Sequence, residues 1–104
     1  MMNQIVLVGR LVNDPIIQKE GEKDISIISL AIPRPYKNVD GEYETDFIDC
    51  ILWQAVASTT CEYCKKGDVV GVRGRIQTRI VDDKKITEVI AERITFLSSK
   101  KEEN

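Results

Sequence analysis

Histidine is absent from the 104 residues, and this absence removes several functional classes. Its imidazole is the commonest general base, the usual pH switch near neutrality and the most frequent metal ligand. An enzyme built from this chain would need carboxylates with a metal ion, or a reactive thiolate. Asp82 and Asp83 are adjacent, so they would face opposite sides of a strand and are typical of a turn. We therefore expect no enzyme activity, no metal site and no cofactor.

Cysteine is scarce, with three residues at positions 50, 61 and 64. An odd count without a secretion signal argues against a disulfide framework. Cys61 and Cys64 form a CxxC pair, but a zinc site normally needs four ligands, and neither a second pair nor a histidine is present. A redox CxxC belongs to a βαβ context that is missing. We interpret both cysteines as small apolar residues on the buried side of a helix.

Long apolar runs are also missing, so the chain has no segment that could cross a bilayer, and no signal peptide precedes the first strand-like segment. We expect a cytoplasmic protein without a membrane partner. An excess of positive charge is missing too, because 15 Lys+Arg oppose 17 Asp+Glu and the net charge is −2. A nucleic-acid ligand must therefore be argued from how the charges are distributed.

The pattern that is present consists of short strands and one helix. The strand-like segments are Ile5–Val12, Ile25–Ile32, Thr45–Trp53, Gly67–Arg79 and Ile86–Leu97, and the helix-like segment is Gln54–Lys66. A polar stretch covers residues 18–24, a long polar loop residues 33–44, and a short turn residues 82–85. Three strands, a helix and two strands predict an all-β OB-fold, a five-stranded Greek-key barrel with one short helix between strands 3 and 4. We expect one domain over residues 1–98 and a short polar C-terminal end over residues 99–104.

Two local patterns refine this assignment. The apolar phase of the second strand shifts between Ile27 and Ile28, which predicts a β-bulge or a strongly coiled strand. In the helix, Ala57 together with the CxxC cysteines recurs at i, i+4 and i+7, the spacing of a stripe that packs on a core. Gly67 after two lysines predicts the C-terminal cap of this helix.

The segment GDVVGVRGRIQTR concentrates positive charge on one side of a strand. Its even positions are mostly core material: Val70, Val72, Gly74, Ile76 and Thr78. Its odd positions form the opposite face: Val69, Gly71, Arg73, Arg75, Gln77 and Arg79. On a slightly acidic protein, such a face indicates an anionic partner, an ordinary solvated surface, or ion pairs with carboxylates within the protein or at an oligomer interface. Five acidic residues lie nearby in the sequence and could form such pairs: Asp40, Glu42, Glu44, Asp46 and Asp49.

Aromatic residues accompany these cations. Phe47 and Trp53 are six residues apart and therefore share the odd face of the third strand. We expect this face to point outward, because the even face, with Ile48, Cys50 and Leu52, already supplies a core. The preceding loop carries Arg34, Tyr36 and Lys37. Exposed rings can stack on nucleic-acid bases, and arginines can neutralise phosphates. Cations interleaved with rings therefore predict a nucleic-acid surface.

These motifs resemble bacterial single-stranded DNA-binding proteins of the SSB type. The matching stretches are NQIVLVGRLVNDP, ETDFIDCILW, YCKKGDVVGVRGRIQTR and TEVIAERITFL. The resemblance implies an OB-fold that binds single-stranded DNA without sequence preference, usually as a homotetramer, in replication, recombination and repair. It implies stacking aromatics at Tyr36, Phe47 and Trp53, and phosphate contacts from Arg73, Arg75 and Arg79. It also implies that the segment Ile5–Arg10 is the strand through which dimers form.

Two departures from the family pattern leave alternatives open. Val81 stands where a further aromatic is common, and the hairpin after it is short. The chain also stops at Asn104 without the family's acidic tail, which implies either a truncated member or one encoded by a mobile element or phage, or the loss of that tail's protein partners. An OB-fold adaptor of the primosome type with weak DNA affinity is the first alternative. An RNA-binding OB module is the second, because no residue pattern reports on a 2′-OH.

Overall fold

The computed structural model describes residues 1–98, and the predicted polar end, residues 99–104, lies outside the described residues. The strands are β1 (Ile5–Leu11), β2 (Gln18–Glu20), β3 (Lys23–Lys37), β4 (Tyr43–Trp53), β5 (Val69–Val81) and β6 (Lys84–Ser98). One helix, α1 (Gln54–Tyr63), joins β4 to β5.

Five of these strands close into a barrel, in the order β1, β5, β6, β4, β3 and back to β1. All neighbours pair antiparallel except β4 and β6, which pair parallel at Cys50 and Ile51. Helix α1 packs on β3, β4 and β6. The predicted all-β, five-stranded barrel with one short helix between its third and fourth strands is confirmed.

The three-residue strand β2 lies in the stretch that the sequence marks only as polar. It pairs with the start of β3 across a turn at Gly21, where φ is 65°. All three β2 residues are exposed, so the alternation that would reveal a half-buried strand is missing. An ion pair between Lys19 and Asp24 (2.7 Å) joins the two strands.

The core fills the barrel beneath α1. Its buried cluster is Leu11, Ile28, Leu30, Cys50, Leu52, Ala57, Cys64, Val70, Val72 and Ala91. The inward even faces predicted for the third and fourth strands are confirmed at Cys50, Leu52, Val70 and Val72.

The even face of β5 stops being core where β5 leaves the barrel. Ile76 is 42% exposed and Thr78 is exposed, so the prediction of a mostly core face holds for Val70, Val72 and Gly74 and fails at these two positions. The reason is that β5 pairs with β1 only as far as Gly74, and the rest of β5 continues with β6 as a free hairpin. At Gly74 itself a Cβ would overlap the carbonyl oxygen of Ile90, which explains the glycine by close backbone approach.

Of the two structures predicted for the phase shift between Ile27 and Ile28, the β-bulge is wrong. The register between β3 and β4 is unbroken from Ile25 opposite Trp53 to Pro33 opposite Thr45. The inward position belongs to Ser26, which is fully buried, whereas Ile27 is 51% exposed on the outer face. A polar residue is tolerated at this inward position because the hydroxyl oxygen of Ser26 accepts a hydrogen bond from the thiol of Cys61, with 3.7 Å between Sγ and Oγ.

The predicted loop over residues 33–44 is also wrong. Strand β3 continues to Lys37 and β4 begins at Tyr43, so the connection is only residues 38–42. Pro33 and Pro35 are compatible with a strand because the pairing shifts register between Pro33 and Lys37, where ladder N–H groups are not needed. Arg34, Tyr36 and Lys37 therefore lie on a strand and not in a loop.

Helix α1 ends at Tyr63, three residues before the predicted end, because Cys64 is already extended with φ −121°. Gly67 has φ 95°, but it lies in the following turn and does not cap the helix. The buried helix residues are Ala57 and Thr60, while Cys61 is only half-buried and Cys64 is buried just after the helix.

The last hairpin is tighter than predicted. Val81 pairs with Lys84 across Asp82 and Asp83, whose φ values are 51° and 67°. Two successive positive φ values are typical of a type I′ turn, whose twist matches that of the flanking strands. Strands β5 and β6 therefore extend two residues further toward the tip than the sequence pattern indicates.

Candidate nucleic-acid interface

The outward face of β4 carries two of the predicted aromatic side chains. Its odd-numbered residues point away from buried Cys50 and Leu52. Phe47 is 66% exposed, and Trp53, the last residue of the strand, is half-buried. The predicted outward orientation of both rings is confirmed.

Trp53 lines a groove of about 330 Å³ on the outside of the barrel, which we call the Trp53 groove. Its apolar lining comes from isoleucines of three strands, Ile25, Ile27, Ile51 and Ile90, and its polar lining is Glu20, Gln77, Arg79 and Glu88. Trp53 and Arg79, predicted independently from two strands, are therefore brought to one surface. An aromatic ring beside a cation is the combination that a base and its phosphate require.

The polar side of the groove is a chain of hydrogen bonds across β5 and β6. Arg75 donates from Nη1 to Oε1 of Gln77 (2.9 Å), and Gln77 donates from Nε2 to Oε1 of Glu88 (3.3 Å). Arg79 donates from Nε to Oε2 of Glu88 (2.5 Å). Arg75 also forms an ion pair with Glu92 (3.3 Å). Internal ion pairing is thus present for both arginines, but their partners lie on β6 and not among the acids of residues 40–49.

The ion pair with Glu88 leaves most of the N–H donors of Arg79 unused. A guanidinium has five N–H groups, and Glu88 occupies only the Nε–H of Arg79. The side chain of Arg79 is 56% exposed, whereas that of Glu88 is 10% exposed. The terminal N–H groups of Arg79 therefore remain available for an anion at the edge of the groove.

Arg73 lies on another part of the surface. It is opposite Val6 in the register between β1 and β5, and it lines a depression with Val6 and Val8. Within residues 1–98 its side chain forms no hydrogen bond or ion pair. The single arginine face expected from the sequence is thus divided, with Arg73 beside β1 and with Arg75 and Arg79 beside β6.

Arg34 is held by two carboxylates on the even face of the β3–β4 hairpin. Its Nε and Nη2 donate to Asp46 (2.9–3.3 Å), and its Nη1 donates to Glu44 (2.7 Å). The hydrogen bond with Asp46 raises the pKa of Arg34 and lowers the pKa of Asp46. One cation with two carboxylates gives this cluster a negative local charge.

The remaining predicted site residues lie near the tip of the same hairpin. Tyr36 is 62% exposed. Lys37 is opposite Tyr43 in the register, and its Nζ lies 5.7 Å from the centroid of the Tyr43 ring. Tyr43 is 61% exposed and was not among the sequence candidates, because the strand was expected to begin two residues later.

The described residues contain no cluster of three or more His, Cys, Asp or Glu side chains that could hold a metal ion. None of the helices formed by residues 1–98 is long and apolar enough to cross a membrane. The three cysteines are free thiols, and burial raises the pKa of Cys50 and of Cys64 to about 11.

Comparison with known proteins identifies the family. The sequence model that describes the single-strand binding protein family matches residues 2–97 of this chain. The chain belongs to this family. The resemblance expected from the sequence motifs is confirmed.

Relatives in this family match the chain over nearly its whole length. It is 40% identical to single-stranded DNA-binding protein B of Bacillus subtilis (strain 168), an alignment covering 99% of this chain and 96% of that protein. It is 43% identical to single-stranded DNA-binding protein 3 of Listeria innocua, covering 96% of this chain and 66% of the relative. It is 43% identical to the single-stranded DNA-binding protein of Halalkalibacterium halodurans, of which it spans 61%.

A solved structure of the family has the same fold. The Plasmodium falciparum SSB in complex with ssDNA superposes with a TM-score of 0.79 at 26% identity, covering 94% of this chain and 96% of that chain. The barrel of this family member is therefore the OB-fold predicted from the order of its strands and helix.

Three residues that contact the predicted site residues of this family member were missed in the sequence: Tyr43, Glu88 and Glu92. Tyr43 has the same odd parity as Phe47, a signal that an earlier start of the strand would have revealed. The two glutamates carry no such signal, because their pairing with arginines depends on the register of β5 with β6.

Proposed function

We propose that this family member binds single-stranded DNA without sequence preference in replication, recombination and repair, as a non-catalytic cytoplasmic protein whose binding unit is residues 1–98. The observation that carries the proposal is the pair of outward rings, Phe47 and Trp53, on β4 with Arg79 beside the Trp53 groove. The relatives are named single-stranded DNA-binding proteins, and the superposed structure is a complex with ssDNA.

Base stacking is the first part of the proposed mechanism. Trp53 offers one half-buried ring in a groove lined by isoleucine side chains, and Phe47 and Tyr36 are more than half exposed. Each stacked base contributes about 1–3 kcal/mol with little sequence preference, because every base has a π-face. Rings on a rigid strand lose little freedom when a base binds, which favours stacking further.

Phosphate neutralisation is the second part. Arg79 has terminal N–H groups available, and Arg73 and Lys37 have no carboxylate partner within residues 1–98. Arg73 lines the depression beside β1, so it contributes only where an assembled oligomer leaves its guanidinium exposed. Arg75 and Arg34 remain candidates, but a phosphate would have to displace Glu92 from Arg75, or Glu44 and Asp46 from Arg34. These exchanges reduce the net number of ions released on binding.

The proposal includes a homo-oligomer, either a tetramer or a dimer, and its basis is the exposed apolar surface of β1. Val6 and Val8 are 67% and 53% exposed, and Leu97 of β6, in the same depression, is 51% exposed. Strand β1 pairs with β3 only at Arg10 and Leu11, so residues 5–9 have no strand on that edge, and their exposed apolar side chains are suited to a second copy of the chain. Light scattering of the purified protein measures this state directly.

An oligo-dT titration at several salt concentrations tests the function. Binding should quench the fluorescence of Trp53, the only tryptophan. Each phosphate neutralised on a single strand contributes a log–log salt slope of about −0.7, so three net contacts predict about −2, against about −3.5 if all five candidate cations acted unopposed. Absence of both quenching and a salt slope would reject DNA binding.

Two other functions have specific support. The ion pairs of Arg34, Arg75 and Arg79 lower the available positive charge, which favours an adaptor of the primosome type with weak DNA affinity. Capture of a helicase or primase by a protein that binds oligo-dT only weakly would favour that function. Exposed rings also stack on RNA bases, so competition between poly-dT and poly-U distinguishes the two nucleic acids.

A further inference from the structure

One exposed ring lies on the same strand face as the proposed stacking rings but has no assigned role. Tyr43 is the first residue of β4, four residues before Phe47 and ten before Trp53. Because side chains alternate along a strand, all three have outward parity. The interval from Trp53 to Tyr43 corresponds to about 33 Å of extended chain, so the face continues well beyond the barrel.

The opposite strand places a cation against this ring. Lys37 pairs with Tyr43 in the register, and its Nζ lies 5.7 Å from the ring centroid, within the range of a cation–π contact. Tyr43 nevertheless remains 61% exposed, so much of its ring is open to solvent. A base stacked on the open part would have its phosphate within reach of the Lys37 ammonium.

The hairpin tip is ordered by its own hydrogen bonds. The side-chain oxygen of Asn38 accepts from the backbone N–H groups of Asp40 (2.9 Å) and Glu42 (3.0 Å), and its amide nitrogen donates to Glu44 (3.0 Å). Arg34 bridges Glu44 and Asp46 on the reverse face. Tyr43 therefore projects from a braced strand pair, so that stacking on it requires little ordering of the chain.

We infer that Tyr43, together with Lys37, forms a further base-stacking subsite at the tip of the β3–β4 hairpin, an inference that rests on the proposed binding of single-stranded DNA. Exposure alone does not carry it. Tyr63 is equally exposed, at 64%, but it lies at the end of α1 with its ring 6.1 Å from that of Phe96. The distinguishing features of Tyr43 are its parity with Phe47 and its lysine partner.

The test compares Tyr43→Ala, Tyr43→Phe and the matched control Tyr63→Ala, using oligo-dT from about 4 to 16 nucleotides, the range of OB-fold site sizes. Trp53 quenching reports binding in each case. Tyr43→Ala should weaken binding about five-fold or more for long oligomers and leave the shortest ones unaffected, because only long ones reach the tip. Tyr43→Phe keeps the ring and should bind as the wild type does, as should Tyr63→Ala.

A second variant reports on the subsite directly. In Tyr43→Trp/Trp53→Phe the only indole stands at the hairpin tip, and its emission should be quenched by long oligo-dT and not by short. If wild-type protein binds oligo-dT but Tyr43→Ala matches it at every length, or the tip indole is not quenched, the subsite is rejected and the proposed function stands. If wild-type protein fails to bind oligo-dT at all, the proposed function is rejected and the subsite with it.

Discussion

The two hairpins that extend beyond the barrel present different side chains. The β3–β4 hairpin carries three exposed rings, Tyr36, Tyr43 and Phe47, and its residues 33–46 hold two cations and four carboxylates. The β5–β6 hairpin, over residues 75–92, has no aromatic residue and holds four cations and four carboxylates. One hairpin is therefore suited to stacking and the other to phosphate contact.

The arginines of the two hairpins differ in the same way. Arg34 uses Nε and both terminal nitrogens on two carboxylates, whereas Arg79 uses only Nε on one. A count of cations in the sequence thus overstates the positive charge available to DNA. We expect the rings to contribute more of the binding free energy than the arginines, and three predictions test this comparison.

The largest effect is expected for Phe47→Ala. Removing this ring should cost about 1–3 kcal/mol of binding free energy to oligo-dT, because one stacked base is lost. Its 66% exposure predicts an unchanged Tm. Thr45→Ala, an exposed non-aromatic position on the same strand face, is the matched control. Equal affinity of the two variants would show that the β3–β4 hairpin does not supply stacking.

A smaller effect of opposite sign is expected for Glu88→Gln. The amide oxygen can still accept from Nε of Arg79, so the arginine keeps its position while a carboxylate beside the groove is removed. Affinity for oligo-dT should rise by roughly 0.5–1 kcal/mol, with a steeper salt slope.

Two controls accompany this variant. Arg79→Gln should weaken binding, and Asp83→Asn makes the same charge change at the exposed turn, away from the groove. Weaker binding by Glu88→Gln would mean that the negative charge of Glu88 is needed to orient Arg79. The carboxylates of the β5–β6 hairpin would then assist phosphate contact and not oppose it.

The smallest effect is expected for the Arg34 cluster. The native pKa of Asp46 is lowered from its ordinary value of 3.8, so the ion pair stabilises the fold above that pH and the contribution is lost as the pH falls through the lowered pKa. Thermal unfolding of wild-type and Asp46→Asn protein should therefore differ slightly at pH 7 and converge in strong acid.

Affinity for oligo-dT compares Arg34 with Arg79 directly. Arg34→Gln should change oligo-dT affinity less than Arg79→Gln does, because Arg34 has already committed three of its nitrogens to carboxylates. A larger loss for Arg34→Gln would reverse the assignment of phosphate contacts between the hairpins.

Much of the fold was predictable because alternation is a local signal. The inward positions of Cys50 and Leu52 and the outward position of Phe47 follow from side-chain parity alone. The errors arose where local chemistry and position disagreed. Ser26 is polar but fully buried, and Pro33 and Pro35 lie in a strand because an irregular register removes the need for their N–H groups. Composition alone does not reveal either arrangement.

The sequence by itself determined the order of the five barrel strands and the helix, the parity of the rings on β4 and the arginines at alternate positions of β5. Only the tertiary structure decided what those arginines contact. Register places Glu88 opposite Gln77, beside Arg79, and closure of the barrel leaves Arg73 beside β1, away from the Trp53 groove. The physical reason is that side-chain direction depends on neighbouring residues in the chain, whereas ion pairing depends on which strand lies alongside and in what register.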